Sequence, residues 1–222
     1  MTKQITQIGK PAPALQLSDW VQGEATPLEQ LLGQVILIEV FQLNCPGCFI
    51  HSLPQAIDLH QRYKDKGLSV IAVATAFEDF ELNSLENLKL LLNENIVIGE
   101  TKRTLEENKR LIDGRLAYHI PFPVALDKLT KQEGETSEND IAAFIKQYIP
   151  QFSDHNEAEK IQLKSKVLDY LNARFYTAET FKQYNLQGTP SHIVIDKNGI
   201  LKACEFGQFH DLEWLITSLL AE

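Results

Sequence analysis

Val35-Ile36-Leu37-Ile38-Glu39-Val40-Phe41 leads through Gln42-Leu43-Asn44 into Cys45-Pro46-Gly47-Cys48. The first seven residues are apolar and rich in β-branched side chains, broken once by Glu39. That is the composition of a strand covered on both faces in the middle of a parallel sheet. The pattern then changes. Pro46 suits the first position of a helix, because its missing N–H would have had no intrahelical partner. Pro54 is placed to kink that helix and Gly67 to end it. Leu68 to Ala74 repeats the buried-strand pattern, and Leu82 to Leu92 reads as a second helix. Strand, helix, strand, helix predicts parallel pairing through right-handed crossovers.

The cysteine pair has a direct chemical reading. A helix N-terminus offers free N–H groups and the positive end of the macrodipole, and both favour thiolate over thiol. Cys45 is the candidate nucleophile. Cys48, one turn further on and on the same side, can resolve a mixed disulfide. Half of a zinc site is the competing reading. It needs two more ligands, and the chain has no second C-x-x-C and no H-x3-H pair, only Cys204 and scattered histidines.

Working outward, the first 34 residues are turn-rich, with Leu15 and Leu17 allowing a short edge strand. Residues 93–118 are charged, with a helix expected over Thr104 to Leu111. Phe122 to Leu126 is a short strand candidate weakened by Pro123. Residues 128–176 change character. Ser137 and Asp140 resemble a capping box. Ile141, Phe144, Ile145 and Tyr148 share one helical face, as do Ile161, Leu168, Leu171 and Phe175. This reads as a two-helix insertion, too long for a simple loop. The α/β pattern then resumes: a turn at Leu186 to Pro190, a strand over Ser191 to Asp196, an Asn198-Gly199 hairpin signal, a returning strand over Ile200 to Phe206, and a last amphipathic helix carrying Leu212, Leu215, Ile216 and Leu219.

Composition narrows the function. The 222 residues are 44% apolar and 23% charged, as in an ordinary globular protein. With 21 basic and 30 acidic residues the formal net charge is −9, which disfavours nucleic acid as a partner. No apolar stretch is long enough to span a bilayer, and the start MTKQITQIGKPAP lacks the apolar core of a signal peptide. A cytoplasmic location is expected. Three cysteines, an odd number with two close together, point to redox or metal chemistry rather than structural staples.

Three blocks together resemble the thioredoxin superfamily, in its AhpC/TSA or TlpA-like redoxin branch. They are Gly9-Lys10-Pro11-Ala12-Pro13 with Leu28, Leu31 and Gly33; the strand running into Cys45-Pro46-Gly47-Cys48; and Gly188-Thr189-Pro190-Ser191 followed by Ile193 to Asp196 and Asn198-Gly199. They account for roughly 1–95 and 177–222, with 119–127 matching less well, and leave the insertion outside. The resemblance implies a thioredoxin-like fold, with a mixed central sheet flanked by helices, and a Cys45–Cys48 redox centre. It implies a cis Thr189–Pro190 peptide facing the cysteines, with Pro46 and Gly47 beside it where a substrate docks. Glu39 stands six residues before Cys45, where thioredoxins carry a buried acid. Desolvation there disfavours its charged form, and it could move protons to and from Cys48; a strand-end glutamate reaching solvent or a helix cap is the alternative.

The expected function is thiol–disulfide exchange with protein or small-molecule thiols, fed by an unidentified electron donor, with no cofactor, metal, nucleic acid or membrane involved and the oligomeric state open. A thiol peroxidase and a redox-inactive metal-binding or adaptor protein are the rivals. The chain departs from peroxiredoxins, whose P-x-x-x-T-x-x-C pattern is replaced by Ile38 and Gln42 ahead of Cys45. Asn44 stands where many thioredoxins have Trp, and Pro54 follows Cys48 by six residues rather than five. His51 is expected on a solvated helix face. His192 either borders the site or is an ordinary strand residue. Cys204 is expected as a buried small hydrophobe, and Trp20 and Trp214 as packing residues.

Overall fold

The computed structural model describes residues 7–131, 136–173 and 176–222. They divide into two compact units, one formed by the chain through Leu129 and again from Ala178, the other by Thr130–Thr177.

The first unit is built on a six-stranded mixed sheet. Its strands are β1 (Leu17–Gln22), β2 (Val35–Phe41), β3 (Leu68–Ala74), β6 (Val124–Asp127), β9 (Ser191–Ile195) and β10 (Leu201–Phe206), in the order β1-β6-β3-β2-β9-β10. β2 pairs parallel with β3, and β3 with β6, whereas β1, β9 and β10 join antiparallel. Every residue of β2 is buried, as its composition requires of a strand with two covered faces. The strand period of two sorts its side chains. Val35, Leu37 and Phe41 face a core shared with Leu53, Leu59, Leu88, Leu105, Leu212 and Ile216. Ile36, Ile38 and Val40 face another with Leu28, Leu31, Phe181 and Leu186. Each fully buried Leu, Ile or Phe contributes on the order of 1.5–3 kcal/mol of transfer free energy, so this strand anchors both layers.

The helix after the cysteines starts at Pro46 and passes through a π turn at Cys48–Ser52 into α1 (Leu53–Tyr63) and a 3-10 turn at Lys64–Lys66. Gly67 ends it in the left-handed region, φ 96°, where a Cβ would be strained. The π turn explains the unusual proline spacing. Leu53 N–H bonds back five residues to the Cys48 carbonyl, so one extra residue fits between Cys48 and Pro54 while the helix continues.

The next helices are α2 (Leu85–Glu94) and α3 (Gly99–Glu107). The sequence placed the second of these at 104–111. It starts earlier because the α2 C-cap Asn95 turns the chain with φ 56°, and it stops at Asn108. Leu111–Ile112 is instead β4, paired with β5 (Arg115–Leu116). Pro123 lies just before β6 and serves as an acceptor, its carbonyl taking the Ala72 N–H at 2.9 Å. It therefore does not interrupt a strand that sits between two neighbours. β7 (Leu129–Lys131) pairs with β8 (Tyr176–Ala178).

In the second unit the Ser137–Asp140 capping box starts α4 (Glu138–Tyr148), with both reciprocal bonds present. α4 and α5 (Glu157–Ala173) share a small core of Ile141, Ile145 and Val167, flanked by Phe144, Leu168 and Leu171. Ile161 does not join it. It is 68% exposed, and Val167 occupies the buried position, so the stripe expected on α5 begins later. Phe175 lies outside the described residues. α6 (Glu179–Gln183) and α7 (Leu212–Ala221) complete the helices. Trp20 packs against the core, but Trp214 is 70% exposed and does not pack as expected.

Candidate active site

The end of β2 delivers the chain into the cysteine turn. Cys45 and Cys48 are joined as a disulfide, their Cα atoms 5.5 Å apart, and Cys48 N–H bonds to the Cys45 carbonyl at 3.0 Å. The two sulfurs are unequally exposed. Cys45 is half-buried, together with Pro46 and Gly47, whereas Cys48 is fully buried in the core. Of the two cysteines, Cys45 alone is partly exposed.

The second edge of the site is the turn before β9. Thr189–Pro190 is a cis peptide, and the Thr189 carbonyl oxygen lies 3.4 Å from Cys45 Sγ. Thr189 Oγ1 donates to Gln42 Oε1 at 3.0 Å, and Gln42 Nε2 donates to the Glu78 carbonyl at 3.3 Å. Gln42 is buried, so this pair holds the Thr189 turn against the cysteine turn. Gly47 faces Pro190 across the gap, with room for a Cβ at 3.9 Å from Pro190 Cδ.

Asn44 braces the cysteine turn from the other side. Its Oδ1 accepts Glu100 N–H at the start of α3 at 2.7 Å, its Nδ2 donates to Asp79 Oδ2 at 2.7 Å, and its own N–H donates to Asn83 Oδ1 at 3.1 Å. Gly99 allows this approach. A Cβ there would stand 2.2 Å from Asn44 Oδ1, and its φ is +54°. Thr101 Oγ1 donates to the Leu43 carbonyl at 2.7 Å and ties the same helix to the same turn.

Glu39 is 0% exposed and faces β9. Across the antiparallel register its partner is His192, also 0% exposed, with Nδ1 2.7 Å from Glu39 Oε2. This is an ion-pair separation without hydrogen-bond alignment. His192 Nε2 lies 2.9 Å from the Gly207 carbonyl, and Gly207 N–H bonds to the Pro190 carbonyl at 2.9 Å. His51 lies on an exposed helix face and, with Ile50, Gln55, Gln208, Phe209 and His210, lines a shallow recess of about 310 Å³. Cys204 is half-buried, packs against the second core, and burial together with Glu205 pushes its thiol up to about 12.

The structure therefore gathers Cys45, Pro46, Gly47, Cys48, Thr189 and Pro190 at one edge of the sheet, and places Glu39 on the sheet face whose core includes Cys48. The sequence marked Gln42 and Asn44 only as departures from related families, without these contacts, and did not pair His192 with Glu39. The usable signal was polar residues beside the cysteines and in strands of buried composition. Among the described residues no cluster of three metal-ligating side chains exists.

These features define a thioredoxin-like fold carrying a C-x-x-C redox centre. In fold and in this motif the chain is similar to thioredoxin-like thiol-disulfide oxidoreductases. No family model matches it. A thiol-disulfide isomerase from Corynebacterium glutamicum is similar in structure, with a TM-score of 0.59 and 27% identity, covering 96% of this chain and 97% of that one. A thioredoxin-like superfamily protein is similar at 0.58 and 26%, with the same coverage. Protein FixW of Rhizobium leguminosarum is 25% identical over 128 residues, 54% of this chain and 56% of FixW. The thiol-disulfide oxidoreductase ResA of Bacillus thuringiensis is 25% identical over 126 residues, 57% of this chain and 55% of ResA. The chain thus spans about half the length of the curated relatives it matches.

Proposed function

We propose that the chain is a thiol–disulfide oxidoreductase acting on protein or small-molecule disulfides through Cys45 and Cys48. The observation that carries this reading is the asymmetry of the pair: a half-buried cysteine beside the Thr189 carbonyl, linked to a fully buried one at a helix start. In the reducing direction the Cys45 thiolate attacks a substrate disulfide. One sulfur–sulfur bond forms to Cys45, the other substrate sulfur leaves as a thiolate and takes a proton. Cys48 then gives up its proton and attacks Cys45 Sγ. The second substrate thiolate leaves, is protonated, and the Cys45–Cys48 disulfide remains. Two electrons have passed to the substrate, and a dithiol donor must return them. Glu39 is the group we assign to proton movement at Cys48. Thr189, Pro190, Pro46 and Gly47 form the surface we assign to the substrate, and the acid-free recess at His51 and His210 suits side chains flanking its cysteine.

The cytoplasm belongs to the same proposal, because the reducing direction prevails there. What supports the activity is the chain's similarity to a thiol-disulfide oxidoreductase and a thiol-disulfide isomerase. The test is a pair of assays, insulin-disulfide reduction with a dithiol donor and hydrogen peroxide consumption, on wild type, Cys45→Ser and Cys48→Ser. Insulin reduction that both substitutions abolish, without peroxide turnover, is the expected result. Peroxide turnover that requires Cys45, without insulin reduction, would replace the reading with a peroxidase.

A further inference from the structure

His192 holds a hydrogen bond through Nε2 and stands at ion-pair separation from Glu39 through Nδ1. Nε2 lies 2.9 Å from the Gly207 carbonyl, which can only accept, so Nε2 carries a hydrogen. Nδ1 lies 2.7 Å from Glu39 Oε2, and neither side chain reaches water. A neutral imidazole with its hydrogen on Nε2 would turn the Nδ1 lone pair onto a carboxylate oxygen at that distance. A proton between them removes the repulsion. It can sit on Nδ1, giving imidazolium and carboxylate, or on Oε2, giving imidazole and carboxylic acid. Both arrangements hold the same number of protons and sum to zero charge. Neither Glu39 carboxyl oxygen, nor His192 Nδ1, has an aligned hydrogen bond among the described residues, so an unshared negative charge on this carboxyl would stand uncompensated in the core.

The surroundings add little charge. On β10 the residue opposite His192 is Glu205, which is exposed. On β3 the residue opposite Glu39 is Ala72. The helical layer on this face contributes Cys48, Phe49, Leu53, Leu212 and Ile216 to the core, of which only Cys48 can titrate. The Phe209 ring lies 6.1 Å from the imidazole. Burial works against a charged His192, but the Glu39 carboxylate and the Gly207 carbonyl outweigh it and hold the imidazole above its ordinary value.

We infer that Glu39 and His192 form one buried proton-sharing couple, neutral as a unit, which makes His192 a positioning residue that keeps a bare carboxylate off the core face shared with Cys48. Its consequence for chemistry rests on the oxidoreductase reading. A lone buried carboxylate on the face shared with Cys48 would oppose ionisation of the cysteine pair, whereas a neutral couple does not. Gly207 extends the link, because its carbonyl takes the His192 hydrogen while its N–H holds Pro190.

Two measurements test this. The first is NMR of the His192 ring nitrogens and the Glu39 carboxyl in labelled wild-type protein from pH 5 to 8. The expected result is one proton beyond a neutral imidazole plus a carboxylate, retained by the pair throughout. A neutral His192 beside an ionised Glu39 at pH 7 would overturn the inference. The second is the pH profile of Cys45 alkylation in the reduced protein. His192→Asn strands Glu39, so a second inflection and alkylation about three- to tenfold slower above it are expected. An unchanged His192→Asn profile in folded protein would overturn the inference, and the wild-type NMR decides if that variant does not fold. Failure of wild type to reduce insulin would instead remove the oxidoreductase reading and leave the NMR result standing.

Discussion

Cys45 and Cys204 are both half-buried, yet their settings differ. Cys204 is held as a neutral thiol by burial, pushed up to about 12, with Glu205 adding to the effect. In reduced native protein at pH 7.5, iodoacetamide is expected to modify Cys45 quickly and Cys204 only after unfolding, which peptide mass mapping checks. Gln42 joins the two turns of the site, so Gln42→Leu leaves Thr189 Oγ1 without its acceptor and costs about 1–3 kcal/mol. The expected outcome is a lower urea midpoint and a reduced kcat/KM for insulin, with Cys45 still open to alkylation. The His192 couple gives a pH dependence of stability. Its folded-state value is raised above the unfolded one near 6.5. Its contribution is therefore whole below that pH and is lost as pH rises through the folded-state value. The wild-type urea midpoint should fall more between pH 6 and 9 than that of Glu39→Gln.

Among the elements, the apolar runs at 35–41 and 68–74 were legible because burial on both faces leaves only one composition. The capping box at Ser137 was legible because its chemistry is local. Ser137→Ala should weaken α4 by about 1 kcal/mol, seen as faster amide exchange in α4 with α7 unchanged. Less legible were α3, whose start depends on a left-handed Asn95, and the π turn, which leaves no periodic trace over five residues. The buried Asp127 was also hidden. Its carboxyl accepts Thr180 N–H at 2.8 Å, Phe181 N–H at 3.2 Å and the Thr75 hydroxyl at 2.7 Å, so it organises the first turn of α6 from another strand. Such a bond spans 53 residues and has no local signature.

At the scale of the whole molecule, alternating strands and helices pointed to the fold class, and the three motif blocks to its mixed sheet. The strand order lies beyond local patterning. Glu39 and His192 meet only because β9 returns antiparallel beside β2 in one register. A slip of one residue would turn His192 to the opposite face. Gln42 and Thr189 likewise meet across 147 residues. The cysteine pair was readable as a motif, while the groups that hold it were readable only in three dimensions. The most direct test of the account is covalent trapping. Reduced Cys48→Ser, which cannot resolve a mixed disulfide, is mixed with a peptide disulfide and the adduct is mapped by mass spectrometry. One peptide bound through Cys45 is the expected result. No adduct, or an adduct on Cys204 alone, would contradict it.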